Sequence, residues 1–517
     1  MIRPQKAPKQ KAQLSESTVR KPAPKKSPGP ASMTVTALLL LTGFLAFFSA
    51  RWFVGTYGRL GFDSILYTLT SGISGVQSGL VGRYLLMAAL PSALCCVTLT
   101  WLLFRKRKGG KFLTSAKRQD AVIIGILIAC VLLVFAAFDV ELVEYIADQF
   151  TDSSLYEKNY VNPDSVKILF PQQKRNLIYI MLESMEVSYL SKELGGAMPE
   201  NLIPELYSLA ENNLCFSNST MEVGGFYTTA GATWTIGSMV AQTAGIPLKT
   251  PTEDVNKYGA EGEEFLPGVT SLTSILHDAG YYQALMVGSD ASFGGREPYF
   301  LQHGMDAVYD VYTARKEGII PRDYWEWWGM EDLHLFTYAK QKLTEIAELD
   351  QPFAFTMLTV DTHHVGGYQC SLCQESTSGE TYDQSISCSS RQVLEFVQWI
   401  QDQPFYENTT IVIVGDHESM DNGYFERNVE DGYQRLMYNC FINAAATPSK
   451  VTNRKWAAVD LFPTTLAAIG CTVTGDRLGL GTNLFSTLPT LTEKMGFHKF
   501  NDELAKASDY YELHFWG

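Results

Sequence analysis

The run Asn176-Leu177-Ile178-Tyr179-Ile180-Met181-Leu182 leads directly into Glu183, and its reading decides the fold. After its first residue the run is apolar at every position, which fits a strand covered on both faces by helices, as in a parallel sheet. Similar runs recur at Tyr282–Val287, Phe353–Val360 and Thr409–Val414, and amphipathic stretches at Ser271–Ala279, Asp332–Leu349 and Gln392–Asp402 fit helices between them. The pattern predicts an α/β doubly wound open sheet. In such sheets, ligands bind beyond the carboxyl ends of the strands.

The residues after each strand are therefore the candidate site. Glu183 follows the first run, Gly288-Ser289-Asp290 the second, Asp361-Thr362-His363-His364 the third and Gly415-Asp416-His417 the fourth. A lone Asp or His past a strand is commonly a turn former or helix cap; four strands delivering carboxylates and imidazoles to one edge are hard to explain as caps. A Glu, an Asp and a His, with a hydroxyl as fourth donor, make a mixed oxygen and nitrogen set suited to Mn²⁺ or Zn²⁺ and less suited to Ca²⁺. The best nucleophile lies in the stretch from Gly231 to Pro247, where a Gly/Thr-rich segment runs into a short helix beginning near Thr235. A hydroxyl there sits at the positive end of a helix dipole, where N–H groups also bind phosphate. Taken alone, a residue such as Thr235 is more commonly an ordinary N-cap.

Outward from this region the composition divides. The 517 residues carry a net charge of −14, against the basic surface of a nucleic-acid-binding protein, so no nucleic acid partner is expected. Residues 1–118 hold 18 Lys/Arg against only Glu16 and Asp63, a net of +16, while the remainder nets −30. The basic part contains three apolar stretches of membrane-spanning length at about 33–50, 84–104 and 121–140. A Pro/Lys-rich tail with eight basic residues precedes them, and seven more lie between Arg105 and Arg118. The positive-inside rule puts both in the cytoplasm and everything past about residue 140 outside. The first stretch reads as an anchor; a cleaved signal sequence is the alternative. Trp52 to Gly82 would lie at the outer face.

Cys95, Cys96 and Cys130 fall in the spans, and Cys370, Cys373 and Cys388 in a polar Ser/Gly-rich loop. Outside the cell that loop is expected to hold one disulfide, and a Cys440–Cys471 pair stays open. A zinc knuckle from Cys370-x-x-Cys373 is the lesser alternative, with only one further Cys nearby.

These motifs carry a resemblance. Glu183 at its strand end, Thr235-Ile-Gly-Ser-Met-Val-Ala-Gln-Thr-Ala-Gly-Ile-Pro-Leu248, Leu358-Thr-Val-Asp-Thr-His-His364, Gly415-Asp-His417 and Val459-Asp-Leu-Phe-Pro-Thr-Thr-Leu466 resemble the sulfatase-like domain of the alkaline phosphatase superfamily. More narrowly, the chain resembles lipoteichoic acid synthases and, most of all, the phosphoglycerol transferases that decorate periplasmic glucans. The resemblance spans roughly residues 170–490. It implies that Glu183, Asp416 and His417 bind a metal, usually manganese with zinc or magnesium as alternatives, and that Thr235 is the nucleophile and touches that metal. It also implies that His363, with His364 beside it, lines the phosphate or glycerol pocket, and that Asp290 and Arg296 hold the phosphoglycerol head. A Trp common in that stretch of the synthases is here Gly294.

The implied reaction is transfer of glycerol phosphate from phosphatidylglycerol to an envelope glycan or teichoic-acid-type polymer through a phosphothreonine intermediate. A phosphoethanolamine transferase or another hydrolase of the superfamily is the enzymatic alternative, and a non-catalytic glycan-binding scaffold the alternative of another class. The Cys/Ser-x-Pro-x-Arg segment that sulfate ester hydrolysis requires is absent from the sequence. After His417 there is no histidine until His498, so a two-metal phosphatase site is not visible either. The expected order is a disordered tail (1–32), a membrane anchor (33–140), a linker (141–170), an extracytoplasmic catalytic domain (171–490) and a C-terminal extension (491–517), in a bacterial cell membrane.

Overall fold

A computed structural model describes residues 30–58, 62, 65, 66, 78–104, 118–249, 263–375 and 378–517. The expected tail, the basic loop after Phe104 and most of the segment between the first two spans lie outside the described residues.

Among the described residues three helices are long and apolar enough to cross a membrane: α1 (Pro30–Tyr57), α2 (Leu80–Phe104, with a π turn at Leu85–Ala89) and α3 (Arg118–Asp139). At 1.5 Å per residue, even the 20-residue apolar part of α3 reaches about 30 Å, the thickness of a bilayer core. Large apolar side chains such as Leu86, Val97, Leu127 and Phe135 point outward, as lipid-facing positions do. Between α1 and α3 the approach is close because Gly43 has no side chain; a Cβ there would lie 2.9 Å from the Ala129 Cα. Arg51 and Asp139 pair at 2.7 Å where the two helices end. The chain is a multi-pass membrane protein whose first span runs seven residues past the expected Ala50, to Tyr57.

After the spans comes a mixed α/β domain of the alkaline phosphatase type. Its main sheet has seven strands: β1 (Asn176–Leu182), β2 (Gly225–Phe226), β3 (Tyr282–Val287), β4 (Ala307–Tyr309), β5 (Phe353–Leu358), β6 (Thr409–Gly415) and β7 (Met437–Ile442). They lie in the order β2-β7-β6-β1-β5-β3-β4. β1 is central and parallel to both neighbours, with Ile178 opposite Phe355 on one side and Ile411 on the other. Every residue of β1, β5, β6 and β7 is buried, which explains the unbroken apolar runs.

Three details differ from the sequence reading. The sheet is mixed: β7 runs antiparallel to β6, and β2 antiparallel to β7. β5 stops at Leu358: Thr359 N–H still donates to the Met181 carbonyl at 3.0 Å, but Val360 N–H and Asp361 N–H turn to the Asp332 carboxylate at 2.7 and 3.2 Å and leave the ladder. The helix expected from Gln392 begins at Thr381, so that Cys388, expected in a loop, lies inside a helix. In that first half Tyr382, Ser385, Ile386 and Ser389 form a buried stripe at helical spacing, and the small serines let it pack closely. Four further helices matter below: α4 (Thr235–Ala244), α5 (Asp332–Ala347), α6 (Thr381–Gln401) and α7 (Asn422–Asn428).

Candidate active site

Four turns at the carboxyl edge of the sheet build the site. β1 ends where Glu183 N–H donates to Thr359 Oγ1 at 3.0 Å and Asp416 N–H donates to Leu182 O at 3.0 Å, which ties the turns after β1, β5 and β6 together. Glu183, Asp416 and His417 are all buried, and one ligand atom from each lies within 4.8 Å of the others. His417 Nε2 is 3.3 Å from Asp416 Oδ2 and 3.8 Å from Glu183 Oε1.

Two features show that this donor set fits a cation. Asp416 Oδ1 accepts the backbone N–H groups of Ser184 and His417, each at 2.7 Å, whereas Asp416 Oδ2 is buried with no protein partner. A buried carboxylate oxygen without a donor is costly unless a cation completes it. The second feature is the tautomer of His417: Nδ1 donates to the Glu418 carbonyl at 2.9 Å, which leaves the Nε2 lone pair facing the two carboxylates. Burial and the nearby Glu183 charge push Asp416 up to about 7. For His417 burial acts downward, but the attraction of Asp416 and Glu183 outweighs it and the imidazole is raised.

Thr235 enters from α4. Trp234 occupies the N-cap position and Thr235 is the first helical residue, so its hydroxyl is not consumed in capping. Thr235 Oγ1 stands 3.4 Å from His417 Nε2. The helix is held there by Ser238, which donates to the Asp416 carbonyl, and by Gln242, which donates to the Gly415 carbonyl at 3.2 Å.

The third turn brings in His363 and His364. His363 Nδ1 donates to the His364 carbonyl at 2.7 Å, and its ring packs 4.6 Å from that of Trp328. Burial lowers His363 to about 4, with the neighbouring His417 acting in the same direction, so the ring is neutral. The His364 ring stacks 4.3 Å from His363 and meets Tyr57, at the end of α1, at 5.4 Å. Arg296 is buried near His363 and donates to the carbonyls of Phe293 and Asp290 and to Ser289 Oγ. The Asp290 carboxylate stands apart from the metal-type cluster and accepts Ser292 N–H and Oγ–H, with Tyr312 at 3.4 Å.

Several groups escaped the sequence reading. Asp332, read only as a helix start, clamps the loop after β5, and its own N–H donates to Asp361 Oδ1 at 3.1 Å; burial pushes its carboxyl up to about 7. Trp328, beside Phe293 as well as His363, supplies an aromatic wall. Arg435 forms a buried pair with Glu186 and also holds the Ser419 carbonyl at 2.8 Å behind His417. It precedes β7, the strand that sequence did not disclose, and nothing in the local sequence marks it. A cleft of about 550 Å³ lies beside α4, lined by Trp234, Leu248, Phe497 and Glu418 and, from the membrane side, by Tyr145 and Leu66.

Cysteines give a mixed outcome. Cys440 and Cys471 are unpaired: the Cys440 thiol donates to the Leu209 carbonyl, and Cys471 lies on the side of Lys174. Cys370, Cys373 and Cys388 do come together, as free thiols.

Residues 175–471 match the family described as Sulfatase. Phosphoglycerol transferase I of Xanthomonas axonopodis pv. citri is 31% identical over 309 residues, covering 57% of this chain and 41% of that protein. The enzyme of the same name from Salmonella paratyphi B is 29% identical over 406 residues, covering 76% and 49%. The chain thus spans less than half the length of these relatives. Among solved structures, the lipoteichoic acid synthase LtaP from Listeria monocytogenes superposes with a TM-score of 0.49 at 19% identity, covering 62% of this chain and 79% of that one. Since the family match takes in more than half of the residues, the chain belongs to the sulfatase family and is a homologue of phosphoglycerol transferase I.

Proposed function

We propose that this protein is a membrane-anchored, metal-dependent phosphoglycerol transferase, taking glycerol phosphate from phosphatidylglycerol and passing it to a hydroxyl of an envelope glycan or teichoic-acid-type polymer. The observation that carries the reading is Thr235 Oγ1 at the start of a buried helix, 3.4 Å from His417 Nε2 and facing the Glu183–Asp416–His417 cluster. Glu183, Asp416, His417 and the Thr235 hydroxyl would hold Mn²⁺, with Zn²⁺ or Mg²⁺ as alternatives. When bound, such an ion lowers the pKa of the hydroxyl and offsets charge on the phosphoryl oxygens.

The chain's own groups define the remaining steps. Thr235 Oγ forms a bond to phosphorus, the bond from phosphorus to the diacylglycerol oxygen breaks, and the proton from Thr235 ends on the departing diacylglycerol. The acceptor hydroxyl then attacks the phosphorus of the phosphothreonine, the bond from phosphorus to Thr235 Oγ breaks, and the acceptor's proton ends on Thr235 Oγ. His363, neutral because it is buried, would either relay that proton or bind the phosphate. The cleft beside α4 mixes apolar side chains with carboxylates such as Glu144 and Glu418, and its walls from both the domain and the membrane-side helix Leu142–Gln149 support a donor arriving from the bilayer side. The catalytic domain lies outside the cell in this reading, with the basic tail inside.

Incubating the purified full-length protein with Mn²⁺ and labelled phosphatidylglycerol should release diacylglycerol, and Thr235→Ala should lower that rate by about 10³-fold or more. Normal release by the variant removes the phosphothreonine step. Release from phosphatidylethanolamine but not from phosphatidylglycerol makes the enzyme a phosphoethanolamine transferase instead.

A further inference from the structure

Away from the reacting groups, the loop that carries His363 and His364 continues to Cys370-Ser371-Leu372-Cys373, and α6 presents Cys388 to it. Cys370 and Cys388 are buried and Cys373 is half-buried. The sulfur atoms are neither bonded nor scattered: Cys370 Sγ is 3.7 Å from Cys388 Sγ and 3.8 Å from Cys373 Sγ, and all three lie within 4.8 Å of one another. A tetrahedral zinc ion with bonds of about 2.3 Å to sulfur holds its ligands about 3.8 Å apart. Two sulfurs in a disulfide would be at about 2 Å.

The surroundings suit thiolates. The Gln392 amide, itself buried, directs its Nε2 toward Cys388 Sγ at 3.5 Å and Cys370 Sγ at 3.9 Å. The positive Arg391 lies beside Cys388, and backbone N–H groups of Leu372 and Cys373 face Cys370. Among the described residues no fourth His, Cys, Asp or Glu joins the cluster, and the half-buried Cys373 leaves one side open to solvent.

We infer that Cys370, Cys373 and Cys388 form a zinc site, with three thiolates from the protein and a water in the fourth position. On binding, each thiol releases its proton to solvent, and no electron is transferred. The ion would tie the loop after β5 to α6, alongside the bonds from Tyr368 N–H to the Asp361 carbonyl at 2.7 Å and from Gln369 Nε2 to Ser385 Oγ at 2.8 Å. This site is separate from the Glu183 cluster and stands whether or not the proposed reaction is correct.

The test uses the full-length protein, purified in detergent under reducing, anaerobic conditions. Zinc content is measured, and then Co²⁺ alone is added to the metal-stripped protein and the thiolate-to-cobalt absorption recorded. Zinc and the cobalt band should persist in Glu183→Gln and be lost in Cys373→Ser and Cys388→Ser. Cys373, at the half-buried position, keeps the test valid if the buried helical Cys388 variant does not fold. A cobalt band that follows Glu183 instead of the cysteines overturns the inference. So does peptide mapping of the unreduced native protein that finds two of the three joined as a disulfide.

Discussion

At the residue scale, Asp416 shows how one side chain divides its work. Oδ1 satisfies two backbone donors and Oδ2 is kept for a cation. Asp416→Asn should therefore keep the fold but lose metal, whereas Asp416→Ala should also destabilise the domain by about 2–4 kcal/mol, through two stranded N–H groups. Metal content and thermal melts separate these outcomes. Because Asp416 sits at about 7 in the metal-free protein, a proton must leave before a cation binds. Affinity for Mn²⁺ should thus rise as pH increases through about 7 and fall below it, as titration calorimetry at several pH values would show. The Arg435–Glu186 pair makes a second case: Glu186 is fully buried, so Arg435→Ala strands a charge and should cost about 3–5 kcal/mol. The double variant Arg435→Met, Glu186→Gln should recover part of that loss in a denaturant titration.

At the scale of elements, α4 depends on close approach. A Cβ on Gly237 would lie 2.6 Å from the Gly231 carbonyl oxygen and 3.0 Å from the Trp234 ring, so Gly237→Ala must push the start of the helix away. The variant should lower turnover well over tenfold with a smaller loss of melting temperature, because a displaced nucleophile costs rate steeply. Such elements were unequally legible in the sequence. β1 and β3 were read to the residue because a central parallel strand has no polar face to confuse the pattern. The start of α4 and the cluster of Glu183, Asp416 and His417 were legible because strand ends and helix starts are where the chemistry must lie. β7 was not found, although Met437–Ile442 is wholly buried, since its flanking residues lack the carboxylate signal that drew attention to the others. The first half of α6 reads as loop because its serines mimic one, and only the packed neighbour reveals their buried stripe. Asp332 and Arg435 act by contacts distant in sequence, which no local pattern encodes.

At the scale of the whole molecule, the spans and the catalytic domain touch near the site. Asn422 at the start of α7 donates to the Val54 carbonyl of α1 at 3.3 Å, and Tyr57 meets His364 two residues before a loop glycine. Tyr57→Ala should therefore slow transfer from phosphatidylglycerol in mixed micelles while leaving cleavage of a short, water-soluble phosphodiester nearly unchanged. Equal losses on both substrates would show that the contact serves only folding.

That same junction fixes a working height. With α1 ending against α7 and His364, the reacting groups are tied to the end of a span, so under the proposed reaction the zone in which an acceptor is modified would be a thin shell just above the lipid. A long glycan would be decorated along the portion that lies down on the membrane, and a growing polymer would be served at whichever end returns to the surface. Reach, more than recognition, would then set which hydroxyls are used.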